Sequence, residues 1–137
     1  MKGLIIPKLI NIASPVIGDE IINTYLRAIN GSDSTREFFK KHVLKTYGRT
    51  FDEFTSSYFI QHLPGPIDVL LIHDEGDKEV VIRHAEKFIS LYPAARLIRT
   101  SGLGHTRMLK DDQVIRETVT FISKGASGSK GLGDGKR

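Results

Sequence analysis

Apolar residues along this chain fall into two kinds of run. Three runs are short and nearly unbroken: Lys8 to Ala13 (KLINIA), Ile67 to His73 (IDVLLIH) and Arg96 to Ser101 (RLIRTS). Ser14 and Pro15 close the first, Pro64, Gly65 and Pro66 open the second, and Gly102 ends the third. Short apolar runs bounded by turn residues predict buried strands. Between them the spacing is helical. Ile21, Ile22, Tyr25, Leu26 and Ile29 form a stripe that stops at Asn30 and Gly31, a C-terminal cap signal. Ser34 with Glu37 and Thr50 with Glu53 each fit a capping box and predict two further helix starts. The first of those helices is expected to bury Phe38, Phe39, Val43, Leu44 and Tyr47, the second Phe51, Phe54, Tyr58 and Phe59. Val81, Ala85, Phe88 and Tyr92 mark a fourth helix, and Val114, Ile115, Thr118, Phe121 and Ile122 a fifth.

The resulting order is strand, three helices, strand, helix, strand, helix. Such alternation predicts an α/β domain with about three parallel strands and flanking helices. One crossover helix would suffice between the first two strands, so the three helices there, over about 19–63, read as an inserted cap. The domain is expected over 1–122. Residues 123–137 (SKGASGSKGLGDGKR) hold too little apolar surface to offset the entropy of ordering and predict a flexible Gly/Ser/Lys-rich tail.

At 137 residues and 39% hydrophobic, the chain suits one domain with a modest core. With no cysteine it has no disulfide, thiolate nucleophile or thiolate metal site, and a reducing, cytoplasmic setting is the expectation. Its apolar runs fall short of the roughly 18–20 residues of a membrane helix, so no membrane is expected. Three of its four excess positive charges lie in 124–137, and the body has no basic run interleaved with aromatics. That distribution argues against nucleic-acid binding.

In parallel α/β sheets, functional groups gather beyond the carboxyl ends of strands. Asp74, Asp77 and His105 all fall there. A carboxylate accepting from one imidazole nitrogen leaves the other free to act as a general base, and Asp77 with His105 fits such a pair. The plainer alternative is a turn aspartate and a helix-capping histidine. His73, Asp74, Asp77, His84 and His105 offer donors of the kind zinc or manganese takes, but their spacings follow no metal-ligand motif. His73 reads as a satisfied buried histidine, His84 as a solvated one beside its helix stripe, and His42 and His62 as helix-surface or helix-end residues. No metal or cofactor is expected.

The order of strand, IHDEGDKEV, helix, YPAARLIRTSGLGH and last helix resembles the C-terminal part of an α/β-hydrolase. In that family the acid follows the penultimate strand in a Gly-x-Asp-like turn, and the histidine follows the last strand, commonly as Gly-His. Gly76 with Asp77 and Gly104 with His105 match those elements, strongly over 69–122 and loosely in the cap. The resemblance implies a serine hydrolase acting on an ester, amide or similar carbonyl bond of a small-molecule substrate, with Asp77 and His105 as catalytic acid and base. It departs in one respect: no Gly-x-Ser-x-Gly elbow occurs in this sequence. Ser14 is followed by Pro15 and lacks flanking glycines, and Ser127 lies downstream of His105, the wrong side in the family's order. The chain alone is therefore expected to be inactive. The first strand is similar to the family strand that neighbours the nucleophile strand, so one edge should be bare and open to a second copy or a partner chain. The alternative function is a non-catalytic interaction module using that edge or the cap.

Overall fold

The computed structural model describes residues 5–63 and 65–125. Three strands, β1 (Lys8–Ile12), β2 (Asp68–Asp74) and β3 (Arg96–Thr100), form one parallel sheet in the order β1-β2-β3. Register runs from Lys8 opposite Asp68 to Ile12 opposite Ile72, and from Leu70 opposite Arg96 to Asp74 opposite Thr100. Each strand ends within a residue of where its apolar run ends, and β2, the central strand buried on both faces, is the one whose run is nearly unbroken. The fold is α/β, a three-stranded parallel sheet flanked by helices.

Helices α1 (Gly18–Ala28), α2 (Asp33–Tyr47) and α3 (Ser56–His62) lie between β1 and β2, α4 (Arg83–Leu91) joins β2 to β3, and the short α5 (Gly104–Arg107) and α6 (Asp112–Ser123) follow β3. Side chains of β2 alternate between two cores, as strand geometry requires. Val69 and Leu71 pack with Val16, Ile60, Ile67, Ala85 and Phe88 on the face covered by α3 and α4. Leu70 and Ile72 pack with Val114, and partly buried Ile10, Ile12, Ile98 and Phe121, on the face covered by α6. The Tyr92 hydroxyl fastens the end of α4 to the start of β2, donating to the Ile67 carbonyl at 2.8 Å and accepting from the Ile67 amide at 3.2 Å.

The inserted helices depart from expectation in three ways. Helix α2 is capped by Ser32, whose hydroxyl accepts from the Thr35 amide, and not by Ser34. The Thr50–Glu53 box forms, with the Glu53 carboxylate accepting from the Thr50 amide at 2.6 Å, but it opens a 3₁₀ turn (Phe51–Phe54), and α3 begins only at Ser56. Most of the apolar stripe of α2 is not buried. Val43 is, but Phe38 is 72% exposed and Tyr47 64%, and Phe39 and Leu44 are exposed too, as are Phe54 in the 3₁₀ turn and Phe59 in α3. The stripe is covered only in part, Phe39 meeting Phe51 at 5.9 Å and Tyr47 meeting Phe54 at 5.8 Å between ring centroids. Helix α1 has no side-chain cap of its own. Instead the Asp52 carboxylate in the 3₁₀ turn accepts from the Gly18 amide at 2.7 Å, at the positive end of the helix dipole, and ties the insertion together. The expected tail begins inside α6, which runs through Ser123. Its remainder, 126–137, lies outside the described residues. No helix among the described residues is long and apolar enough to cross a membrane.

Candidate active site: an acid–histidine pair at the sheet edge

Strand β2 carries its apolar register to Ile72 and then presents His73 and Asp74, both buried. The chain turns at once, because Asp74 Oδ1 accepts from the Gly76 amide at 2.9 Å and the Asp77 amide donates to the Asp74 carbonyl at 3.2 Å. Asp77 is thereby brought back over the end of the sheet. Its own carboxylate is fully used: Oδ1 accepts from the amides of Glu79 and Val80, each at 2.9 Å, and Oδ2 from His105 Nδ1 at 2.8 Å. His73 supports this turn from beneath. A carbonyl can only accept, so His73 Nε2 carries the hydrogen it donates to the Val80 carbonyl at 2.6 Å, and it lies 3.8 Å from Asp77 Oδ2.

His105 arrives from the neighbouring strand. After Thr100 the chain passes through Ser101, Gly102, Leu103 and Gly104, with Gly102 at φ 79° and Gly104 at φ 66°. Both lie in the left-handed region that a side chain makes costly, and nothing stands within 4 Å of where a Cβ would lie, so backbone conformation and not space selects glycine. Arg107 braces the turn, its guanidinium donating to the carbonyls of Leu103 at 2.8 Å and Gly102 at 2.7 Å. Asp74 joins the two halves of the site. Its Oδ2 accepts from Thr100 Oγ1 and from the Leu103 amide, each at 2.9 Å, so one buried carboxylate holds the acid-bearing turn and the histidine-bearing turn in register.

Burial pushes both carboxyls toward higher pKa, but the hydrogen bonds outweigh it. The amides of Leu103, Gly104 and Gly76 and the Thr100 hydroxyl hold Asp74 below the ordinary 3.8, and the Val80 amide, His105 and the Glu79 amide do the same for Asp77. Both are ionised at neutral pH. An ionised Asp77 accepts only, so Nδ1 of His105 carries the hydrogen and Nε2 of the neutral ring keeps its lone pair. No described residue hydrogen-bonds to that Nε2, and the His105 side chain is 30% exposed beside a fully buried acid. This is the arrangement of a general base oriented by a carboxylate.

The structure thus brings together Asp77 and His105 and gives Asp74 a different part, as the tie between them. His84 is not solvated: it is 5% exposed, and its Nδ1 accepts from the amides of Val16 at 2.9 Å and Ile17 at 3.1 Å. Helical spacing placed it beside the stripe of α4, but its partners come from a segment 67 residues and more away, which no local pattern encodes. His73 is the satisfied buried histidine its strand predicts. Among the described residues no group of three or more histidine and carboxylate side chains is arranged to hold a metal ion. No protein-family model matches the chain, and no curated protein does.

Proposed function

We propose that this chain is the acid- and histidine-bearing part of an α/β-hydrolase-like serine hydrolase, acting on an ester, amide or similar carbonyl bond once a nucleophile is supplied. The observation that carries this reading is the 2.8 Å contact between Asp77 Oδ2 and His105 Nδ1, made beyond the carboxyl ends of two adjacent parallel strands. Buried acid, correct tautomer and unoccupied Nε2 are what a serine hydroxyl needs to lose its proton as it attacks a carbonyl. The same Nε2 would return that proton to the leaving group. No pentad in the sequence provides the serine or the amide that follows it in an oxyanion hole, so both belong to another segment or polypeptide under this reading.

The purified chain should hydrolyse an activated ester no faster than its His105→Ala variant. A polypeptide bearing a Gly-x-Ser-x-Gly elbow, encoded upstream of Met1 or recovered in a stable complex with this chain, should confer turnover. That turnover should fall by about 10⁴-fold on Asp77→Asn, which imposes the wrong histidine tautomer. Turnover by the complex that survives His105→Ala would overturn the reading.

A second reading, that the chain works as an interaction module, rests on the free edge of β1. The Pro7 carbonyl and the Ala13 amide both bond to the β2 side at 3.0 Å. Main-chain groups alternate along a strand, so those of Lys8, Ile10 and Ile12 turn away from β2, and no strand among the described residues pairs with them. The two readings are compatible, since a nucleophile-bearing strand is one occupant this edge would accept.

A further inference from the structure

We infer that His84 is an acid-releasable staple that holds the link from β1 into the helical insertion against the end of the sheet that carries the acid turn. The link, residues 14–17, carries β1 into α1, and its Val16 side chain is buried in the core while its backbone needs a partner for two successive amides. His84, on the first turn of α4, provides it. Both amides donate to the single lone pair of Nδ1, so that nitrogen cannot carry a hydrogen while the staple is closed. The hydrogen of the neutral ring is therefore on Nε2, which lies 3.2 Å from Glu20 Oε2 on α1. One side chain thus ties α4 to the link through one nitrogen and to the first helix of the insertion through the other.

The groups around the ring decide what acid does. Glu20 faces it from α1 and Asp77 from the acid turn, and both favour a charged ring. His73 from β2 and Arg83 beside it on α4 oppose one, and Arg83 already pairs with Glu20. Burial opposes the charge most, and the net effect holds His84 below the ordinary imidazole value of 6.5. Because the folded-state value is depressed, the staple is fully closed above 6.5 and is lost as pH falls through the lowered value. Protonation puts a hydrogen on Nδ1 that points at two N–H donors. The closed geometry cannot hold three donors face to face, so the ring leaves and the link opens. His84 and Glu20 also line a groove of about 560 Å³ between α1 and the segment after Asp77, with Asn23, Arg27 and Lys78 on its walls, so opening the staple loosens one side of that groove.

Hydrogen exchange on the full chain at about pH 8 and about pH 5, corrected for the intrinsic chemical rate, tests this without reference to any catalytic activity. In the wild-type chain the amides of Val16, Ile17 and the first turn of α1 should lose protection by up to about tenfold per pH unit as pH falls from the ordinary imidazole value of 6.5 toward the lowered one, and level off below it. In His84→Gln, which keeps an acceptor but takes up no proton and retains His73 and His105, protection of those amides should not change with pH. Equal protection at both pH values in the wild type, or the same loss in both proteins, would overturn the inference. Should His84→Gln fail to fold, nitrogen-15 spectra of the wild-type histidines decide. Protonation of His84 Nδ1 in step with shifts of the Val16 and Ile17 amides supports the staple, and protonation that leaves those amides unmoved overturns it.

Discussion

Asp74 and Asp77 are both buried and both ionised, yet each holds a different part of the site. Asp77 orients one ring, whereas Asp74 takes amides from either side of the gap between β2 and the turn after β3. That division makes Asp74 the residue whose loss should be felt most widely. Asp74→Asn keeps the shape but replaces one acceptor oxygen by an N–H₂ group, which must then face the Gly76 amide or the Thr100 and Leu103 donors. Leaving a buried donor opposed by another donor costs about 2 kcal/mol. Urea unfolding at neutral pH should register that loss, and the nitrogen-15 spectrum of His105 should show its Nδ1 hydrogen no longer fixed on Asp77. A variant as stable as wild type, with the His105 signal unchanged, would show that the two turns hold their register without this tie. The dipeptide at the end of the strand gave little warning of it. Asp74 followed by Gly76 reads as an ordinary Asx turn, which it is, and only Oδ2 has the longer reach.

At the scale of elements, the strands were legible because a parallel strand buried on both faces must be apolar at nearly every position, and Val69 to Ile72 are. The insertion was legible in its helices and illegible in its packing. A stripe such as Phe38, Val43 and Tyr47 states that a helix has an apolar side, but it does not state that anything covers it. The acid–histidine pair was readable from two turn motifs, since each places one residue beyond a strand end. What joins the turns, and what His84 holds, depends on contacts between distant segments. The histidine-bearing turn is the element whose conformation most directly sets the site. Gly104, at φ 66°, immediately precedes His105. Gly104→Ala meets no obstruction, so its cost is that of holding an L side chain in the left-handed region, about 1–2 kcal/mol. A drop in thermal midpoint without loss of the native amide spectrum should follow. No destabilisation at all would mean that the turn can change to a right-handed path without consequence.

Over the described residues the molecule is a sheet with helices on both faces and with β1 and β3 as its outer strands. Strand β1 ends the sheet, its Lys8, Ile10 and Ile12 main-chain groups are turned outward, and the insertion that follows it exposes an aromatic side. An uncapped parallel edge is a template for pairing, and chains normally blunt it with proline, inward charge or a covering element. Here Lys8 is the one charged residue in β1, and its ammonium is engaged at the end of α6 by the carbonyls of Phe121, Ile122 and Lys124. The edge should therefore recruit a strand, and at high concentration the readiest source is a second copy. Proline at position 10 isolates this contribution. The Ile10 amide faces the open edge, so Ile10→Pro removes an edge donor while leaving the β1–β2 ladder intact. Ile10→Ala, which loses the same packing against Leu70 and Ile72 but keeps the amide, is the control. Sedimentation equilibrium across a concentration series should show association in the wild type and in Ile10→Ala, and a monomer in Ile10→Pro. If all three are monomeric, the edge is not a pairing surface between copies. If Ile10→Pro still associates, the contact runs through a surface other than the β1 edge, the outer edge of β3 or the exposed aromatic side of α2.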